Sequence, residues 1–250
     1  MEKNILQLDD NNLYYLNILN KKDKLTKVEF EQLQYKSFSY IPKVLEYDFY
    51  TLENLKNCLL KIKNNNCDTM MMHQMYLLQK LLSFKDLFPY CDFPNGYVLD
   101  NKEIVGMILP NYSSNSVSFQ NVCIKDSLNE LKNYLLRDSD NIHNVFLIYL
   151  EILDMIEKMY ENGLVYYDIN EGNFIFDNNK IKIIDFDYEK IGFIRTKSNL
   201  NGLLNNYLEM VNRVNSEYNL SKISNNISKT SFSSVRNKII KLENSVRKNR

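Results

Sequence analysis

The chain has 250 residues, 44% hydrophobic and 25% charged, which suits one domain of two lobes or two small domains with an ordinary core. Lys+Arg and Asp+Glu both total 31, so the charge balance gives no reason to expect a nucleic-acid partner. The four cysteines form no C-x-x-C pair and there are two histidines, which argues against a zinc site and for free thiols in a reducing, cytoplasmic setting. The first residues, MEKNILQLDD, carry acids where a signal peptide is apolar, and no run approaches about 18 apolar residues, so no transmembrane segment is expected.

In chain order, residues 1–40 mix a short apolar run at Leu13–Leu19 with a lysine-rich turn at Lys21–Lys27, and read as strand or helix elements packed on the lobe that follows. Val44–Tyr50 and Cys58–Lys63 are expected strands around a polar turn, Leu52–Asn57. Thr69–Phe84 is an expected helix, because Met71, Met75, Leu78 and Leu82 recur at spacings of four, three and four. Gly96–Leu99 and Ile104–Leu109 read as strands joined by the turn Asp100–Glu103, and Pro110–Phe119 as a polar linker. Ser127 and Glu130 form a capping-box pattern for a helix over Leu128–Leu136.

A longer helix is expected over about Asn144–Tyr160, with Val145, Ile148, Ile152, Met155, Ile156 and Met159 on one face and Gly163 as its stop. The strands Asn173–Phe176 and Ile181–Asp185 enclose a turn at Asp177–Lys180. Another helix covers about Leu200–Val214, residues 215–232 are polar, and a last helix aligns Val235, Ile239, Leu242 and Val246. Lysines and arginines decorate its other faces, usually a solvated surface and here a candidate contact for an acidic partner.

The segment Tyr166–Asp187, YYDINEGNFIFDNNKIKIIDFD, points most directly at chemistry. Phosphoryl transfer needs a positioned hydroxyl and neutralised phosphate charge rather than elaborate covalent steps. Asp168 is the candidate base, and the amide oxygen of Asn173 and the carboxylate of Asp185 are candidate ligands of Mg²⁺. Y-Y-D-I-N-E-G-N resembles the H-R-D-L-x-x-x-N catalytic loop of protein kinases, and I-I-D-F-D resembles their D-F-G segment. I-N-E-G-N is also similar to the corresponding loop of aminoglycoside and choline kinases.

The resemblance to the protein kinase-like superfamily implies an α+β, bilobal protein kinase-like fold with a small β-rich N-lobe and a mainly helical C-lobe. It implies ATP and Mg²⁺ as cofactors. It divides the chain into an extension at 1–40, an N-lobe at 41–112, a C-lobe at 113–214 and a C-terminal segment at 215–250.

By the same resemblance, C-L-L-K-I-K is similar to the V-A-I-K strand, making Lys61 the candidate ligand of the ATP phosphates, with Lys63 on the same strand face as the alternative. Gln74 stands near where a kinase helix carries a glutamate partner, with Asp68 just before the helix, and Leu109, Asn111 and Tyr112 would form the adenine-binding hinge. The chain departs from the pattern in several places. Its first glycine is Gly96, so no glycine-rich phosphate loop precedes it. Tyr166 and Tyr167 replace the His and Arg of the loop, Asn170 stands where serine/threonine kinases place a lysine, and Asp187 replaces the D-F-G glycine.

The chain after Asp185 is too short for a full activation segment and its substrate-binding helices, so a compact, atypical enzyme of bacterial or viral type fits best. A protein serine/threonine kinase, acting on a protein substrate, is the favoured reading. The alternatives are a small-molecule kinase and a pseudokinase acting as a binding or regulatory module.

Overall fold

Alternating strand sequences in the N-terminal half build a seven-stranded sheet in the computed structural model, which describes residues 6–9, 13–19, 24–28, 47–63, 71–112, 116–119, 141–177, 180–186, 190–224 and 231–248. The chain divides into two units, Met1–Ser116 with Ile184–Tyr188, and Val117–Ile183 with Glu189–Arg250. The expected helix at Leu128–Leu136, with Ser127 and Glu130, lies outside the described residues, as do Asp68 and Asp187.

The sheet of the first unit contains β1 (Gln7–Leu8), β2 (Tyr14–Asn17), β3 (Leu25–Val28), β4 (Tyr47–Leu52), β5 (Cys58–Lys63), β6 (Gly96–Asp100) and β7 (Glu103–Pro110). Their spatial order is β1-β2-β6-β7-β5-β4-β3. Every pairing is antiparallel except β2 with β6, which is parallel. Strands of the 1–40 stretch thus close both edges of the sheet.

The β6–β7 hairpin turns through Asn101 and Lys102, both at positive φ, the combination that a two-residue turn needs to match strand twist. Leu60 of β5 packs with Leu16, Leu52, Val98 and Ile108 on one face. Leu59 points to the opposite face and packs with Phe49, as period-two geometry requires. The helix α1 (Met71–Leu82) buries Leu77, Leu78 and Leu81 and leaves Tyr76 exposed. Leu78 sits against Tyr97 and Met107 of β6 and β7.

The second unit is mainly helical. Its long helix α2 (Asn141–Glu161) buries Val145, Phe146, Ile148, Tyr149, Ile152, Leu153, Met155, Ile156 and Met159. Gly163, at φ 87°, ends it: its N–H donates to the Tyr160 carbonyl (3.0 Å), while that of Leu164 donates to the Met159 carbonyl (2.9 Å). These two bonds satisfy carbonyls that the last turn leaves open.

Next come β9 (Val165–Tyr166), the hairpin β10 (Phe174–Asp177) with β11 (Lys180–Ile183), and β12 (Ile191–Gly192). β12 pairs with β9, and β10 also pairs with β8 (Val117–Ser118), so a strand stands at the end of the expected polar linker.

α3 (Lys197–Glu217) opens with Thr196, whose hydroxyl accepts from the N–H of Asn199 at 3.0 Å. It buries Leu203, Leu204, Tyr207, Leu208 and Val211. α4 (Phe232–Lys248) buries Phe232, Val235 and Ile239. Arg236 of α4 pairs with Asp154 and Glu157 of α2, contacts that raise its pKa further.

The result is α+β, with a β-rich N-terminal unit and a mainly helical C-terminal one. Among the described residues no helix is long and apolar enough to cross a membrane.

Candidate active site

In the first unit, the interior strand β5 carries Lys61 between Phe49 of β4 and Met107 of β7. The close approach of β7 is made possible by Gly106, where a Cβ would lie 2.3 Å from the Lys61 carbonyl oxygen and 2.9 Å from Ile62 Cα. Lys61 is 8% exposed, a burial that an ammonium tolerates only with compensating partners. Its Nζ lies 4.7 Å from the centroid of the Tyr47 ring and 3.5 Å from Oδ1 of Asp185. Lys63, the alternative lysine, lies at the end of the strand opposite Tyr47 and is less buried.

Asp185 is held between two buried apolar neighbours, Ile184 and Phe186. The Phe186 ring meets Phe93 edge-on, with centroids 4.7 Å apart. The Asp185 backbone is in the left-handed region, φ 64°, which a short polar side chain tolerates better than most.

Of the remaining expected residues here, Gln74 lies on α1. Leu109 pairs with Leu59 in the β5–β7 ladder. The backbone N–H of Asn111 donates to the Asn57 carbonyl (2.9 Å) and its side chain to that of Lys56 (3.0 Å), tying this segment to the β4–β5 turn. Tyr112 donates its hydroxyl to Asp92 at 2.6 Å.

In the second unit, Asp168 follows β9 directly and its carboxylate is held from several sides. Asn173 Nδ2 donates to Asp168 Oδ2 and to the Asp168 carbonyl, both at 2.9 Å. Asn170 Nδ2 donates to Oδ1 at 3.0 Å and to the same carbonyl at 3.2 Å. The Asn170 side-chain oxygen accepts from the N–H of Gly172 at 3.0 Å, capping the short 3-10 turn Glu171–Asn173 that carries Asn173. Arg213 of α3 clamps Glu171 through Nε (2.9 Å) and a second guanidinium nitrogen (3.3 Å), and Asn206 of α3 donates to the Tyr167 carbonyl at 2.7 Å. Tyr166, in the place of the kinase-loop histidine, is a fully buried side chain.

Both hydrogen bonds of Asn173 leave from its amide nitrogen toward acceptor-only partners, which fixes the orientation of the amide and directs its oxygen elsewhere. Asn173 is nearly buried, at 8% exposure. An amide oxygen and the Asp185 carboxylate are hard oxygen donors, the kind that Mg²⁺ takes. Taken singly, each is a donor of the type that the metal takes. Among the described residues no group of three or more His, Cys, Asp or Glu side chains is arranged to hold an ion.

Lys190 escaped the sequence reading. Its Nζ is 3.0 Å from Asp168 Oδ2. Its carbonyl accepts from the N–H of Tyr167 at 2.8 Å, extending the β9–β12 pair. Its only sequence signal is a lysine shortly after the second motif, and two-residue strands leave no periodicity from which to read their pairing.

The element order, with a lysine on an interior strand paired to the aspartate of I-D-F and an Asp-to-Asn loop between a long helix and a hairpin, resembles that of the protein kinase-like fold. Among solved proteins it is similar to the one described as "Crystal structure of BubR1 kinase domain", with a TM-score of 0.49 and 13% identity over 82% of this chain and 78% of that one. No protein-family model matches the sequence, and no curated protein does.

Proposed function

We propose that the chain is an ATP- and Mg²⁺-dependent phosphotransferase, and that its acceptor is a protein serine or threonine hydroxyl. The observation that carries this reading is the Asp168 carboxylate fixed by Asn173 and Asn170 while the Asn173 amide oxygen is turned away from it. Here the acid and the asparagine five positions on are locked as a unit by a capped turn.

Asp168 orients the acceptor hydroxyl and takes its proton. Lys61 neutralises charge on the ATP phosphates. Asn173 and Asp185 hold Mg²⁺, which when bound supplies charge neutralisation on the phosphate oxygens. Leu109, Asn111 and Tyr112 contact adenine, and Gln74 stands as a neutral hydrogen-bonding partner for Lys61. A cytoplasmic location suits the ATP requirement and the reduced thiols expected from the cysteine spacing.

Labelling with γ-phosphate-tagged ATP and Mg²⁺ in cell lysate tests the proposal. Label in protein, lost when Asp168 is replaced by asparagine, supports it. Label confined to the low-mass pool would assign a small-molecule acceptor, as the I-N-E-G-N loop also allows. No transfer to either pool would leave the chain as a binding module.

A further inference from the structure

The partner that the sequence did not reveal raises a question of its own. Asp168 is already held by four hydrogen bonds from Asn170 and Asn173. Lys190 is not needed to position it. Nor does the ion pair add much stability, since the side chains of Lys190 and Asp168 are 29% and 34% exposed and solvent screens such pairs. Yet the Lys190 backbone is pinned beside Asp168 by its bond from Tyr167 and by the Ile191–Tyr166 register. A fixed backbone with a long, partly exposed side chain places an ammonium within reach of whatever the carboxylate acts on.

Resting on the phosphotransferase reading, we propose that Lys190 is a catalytic residue, its ammonium leaving Asp168 Oδ2 to contact the phosphoryl group in transit. In that step the acceptor oxygen forms its bond to the γ-phosphorus as the bond from that phosphorus to the bridging oxygen breaks. The electron pair leaves with ADP and the hydroxyl proton passes to Asp168. Negative charge spread over the three remaining phosphoryl oxygens is what an ammonium stabilises. Asn170 occupies the loop position two residues after Asp168 with a neutral amide that holds the carboxylate, so the loop itself brings no cation and the neighbouring strand does.

The test compares wild type, Lys190→Met and Lys190→Arg. All three should melt alike without ligand and gain the same stabilisation from MgADP. Adding aluminium fluoride to MgADP, a mimic of the transferring group, should raise the melting temperature further in wild type, partly in the arginine variant, and not in the methionine variant. In steady state Lys190→Met should lower kcat by about 100-fold, with KM for ATP within about twofold, and Lys190→Arg should recover part of it. An aluminium fluoride increment that is absent from wild type, or equal in all three, overturns the role of Lys190 while leaving phosphotransfer standing. Wild-type protein that neither binds MgADP nor transfers phosphate overturns both.

Discussion

The two carboxylates singled out by the sequence are held in opposite ways. Asp185, in the β-rich unit, has a strained backbone and a long 3.5 Å approach to Lys61. Asp168, in the helical unit, accepts two short hydrogen bonds on its carboxylate from asparagines and a 3.0 Å contact from Lys190. Under the proposed function Asp185 takes up a metal and has to exchange partners, and its 3.5 Å contact with Lys61 is the longer of the two. A group that must receive one proton from one hydroxyl gains from a fixed geometry. On the proposed roles, the difference teaches that the manner of fixation, and not burial alone, separates a binding carboxylate from a reacting one.

Two substitutions should break this contrast in different ways. Asp185→Asn should reduce Mg²⁺-dependent transfer to background and weaken MgATP binding in calorimetry, since it removes a charged metal donor. Asp168→Asn should lower the transfer rate roughly 10²–10⁴-fold and leave MgATP affinity near that of wild type. If both variants lose rate alone, the division of labour is wrong.

Stability separates the units next. Gly106→Ala forces a Cβ onto the backbone of Lys61 and Ile62 and should destabilise the protein by about 1–3 kcal/mol in denaturant unfolding. Tyr207→Phe in α3 deletes a buried hydroxyl that donates to the Tyr149 carbonyl at 2.6 Å. Its cost should be about 1 kcal/mol. Burial also pushes the Tyr207 phenol well above its ordinary range, with the Asp154 charge adding to the rise. The folded state thus favours the neutral phenol, and this contribution is present below the unfolded pKa and lost as pH rises above it.

The smallest effect belongs to Glu151 of α2. Desolvation first and the Asp154 charge second raise its pKa, against a hydrogen bond from the Ile181 backbone that lowers it. A raised carboxyl favours folding in its protonated form, so its contribution is present below the unfolded pKa and lost as pH rises through the folded one. Glu151→Gln should therefore raise the melting temperature slightly at pH 7 relative to wild type, with the advantage vanishing at about pH 3.

The helices of the second unit were legible because their apolar spacing is regular. The face read for α2 is the buried one, Val235 and Ile239 of α4 are buried while Leu242 and Val246 are half-buried, and Gly163 stops α2 where expected. The boundaries ran short: α3 starts at Lys197 rather than near Leu200, because Thr196 caps it from outside the apolar stripe. Of the sheet, β4 to β7 were legible as strands, whereas β1 to β3 were read only as strand or helix elements. Nothing local in Tyr14–Asn17 or Gly96–Asp100 announces that β2 runs parallel beside β6. Of the site, local spacing carried the Asp168–Asn173 unit, since one capped turn holds it. Lys61 was reached through resemblance, but its contact with Asp185, 124 positions away, was not read. Lys190 depends on the β9–β12 pairing, and no local pattern specified it.

Thermal denaturation of purified, folded protein with and without MgATP tests the central claim most directly. Ligand at tenfold its dissociation constant stabilises the native state by about 1.4 kcal/mol, a rise of about 3–6 °C for a chain of this size. The account predicts such a rise with MgATP and its loss in Asp185→Asn. No rise at millimolar MgATP would contradict it.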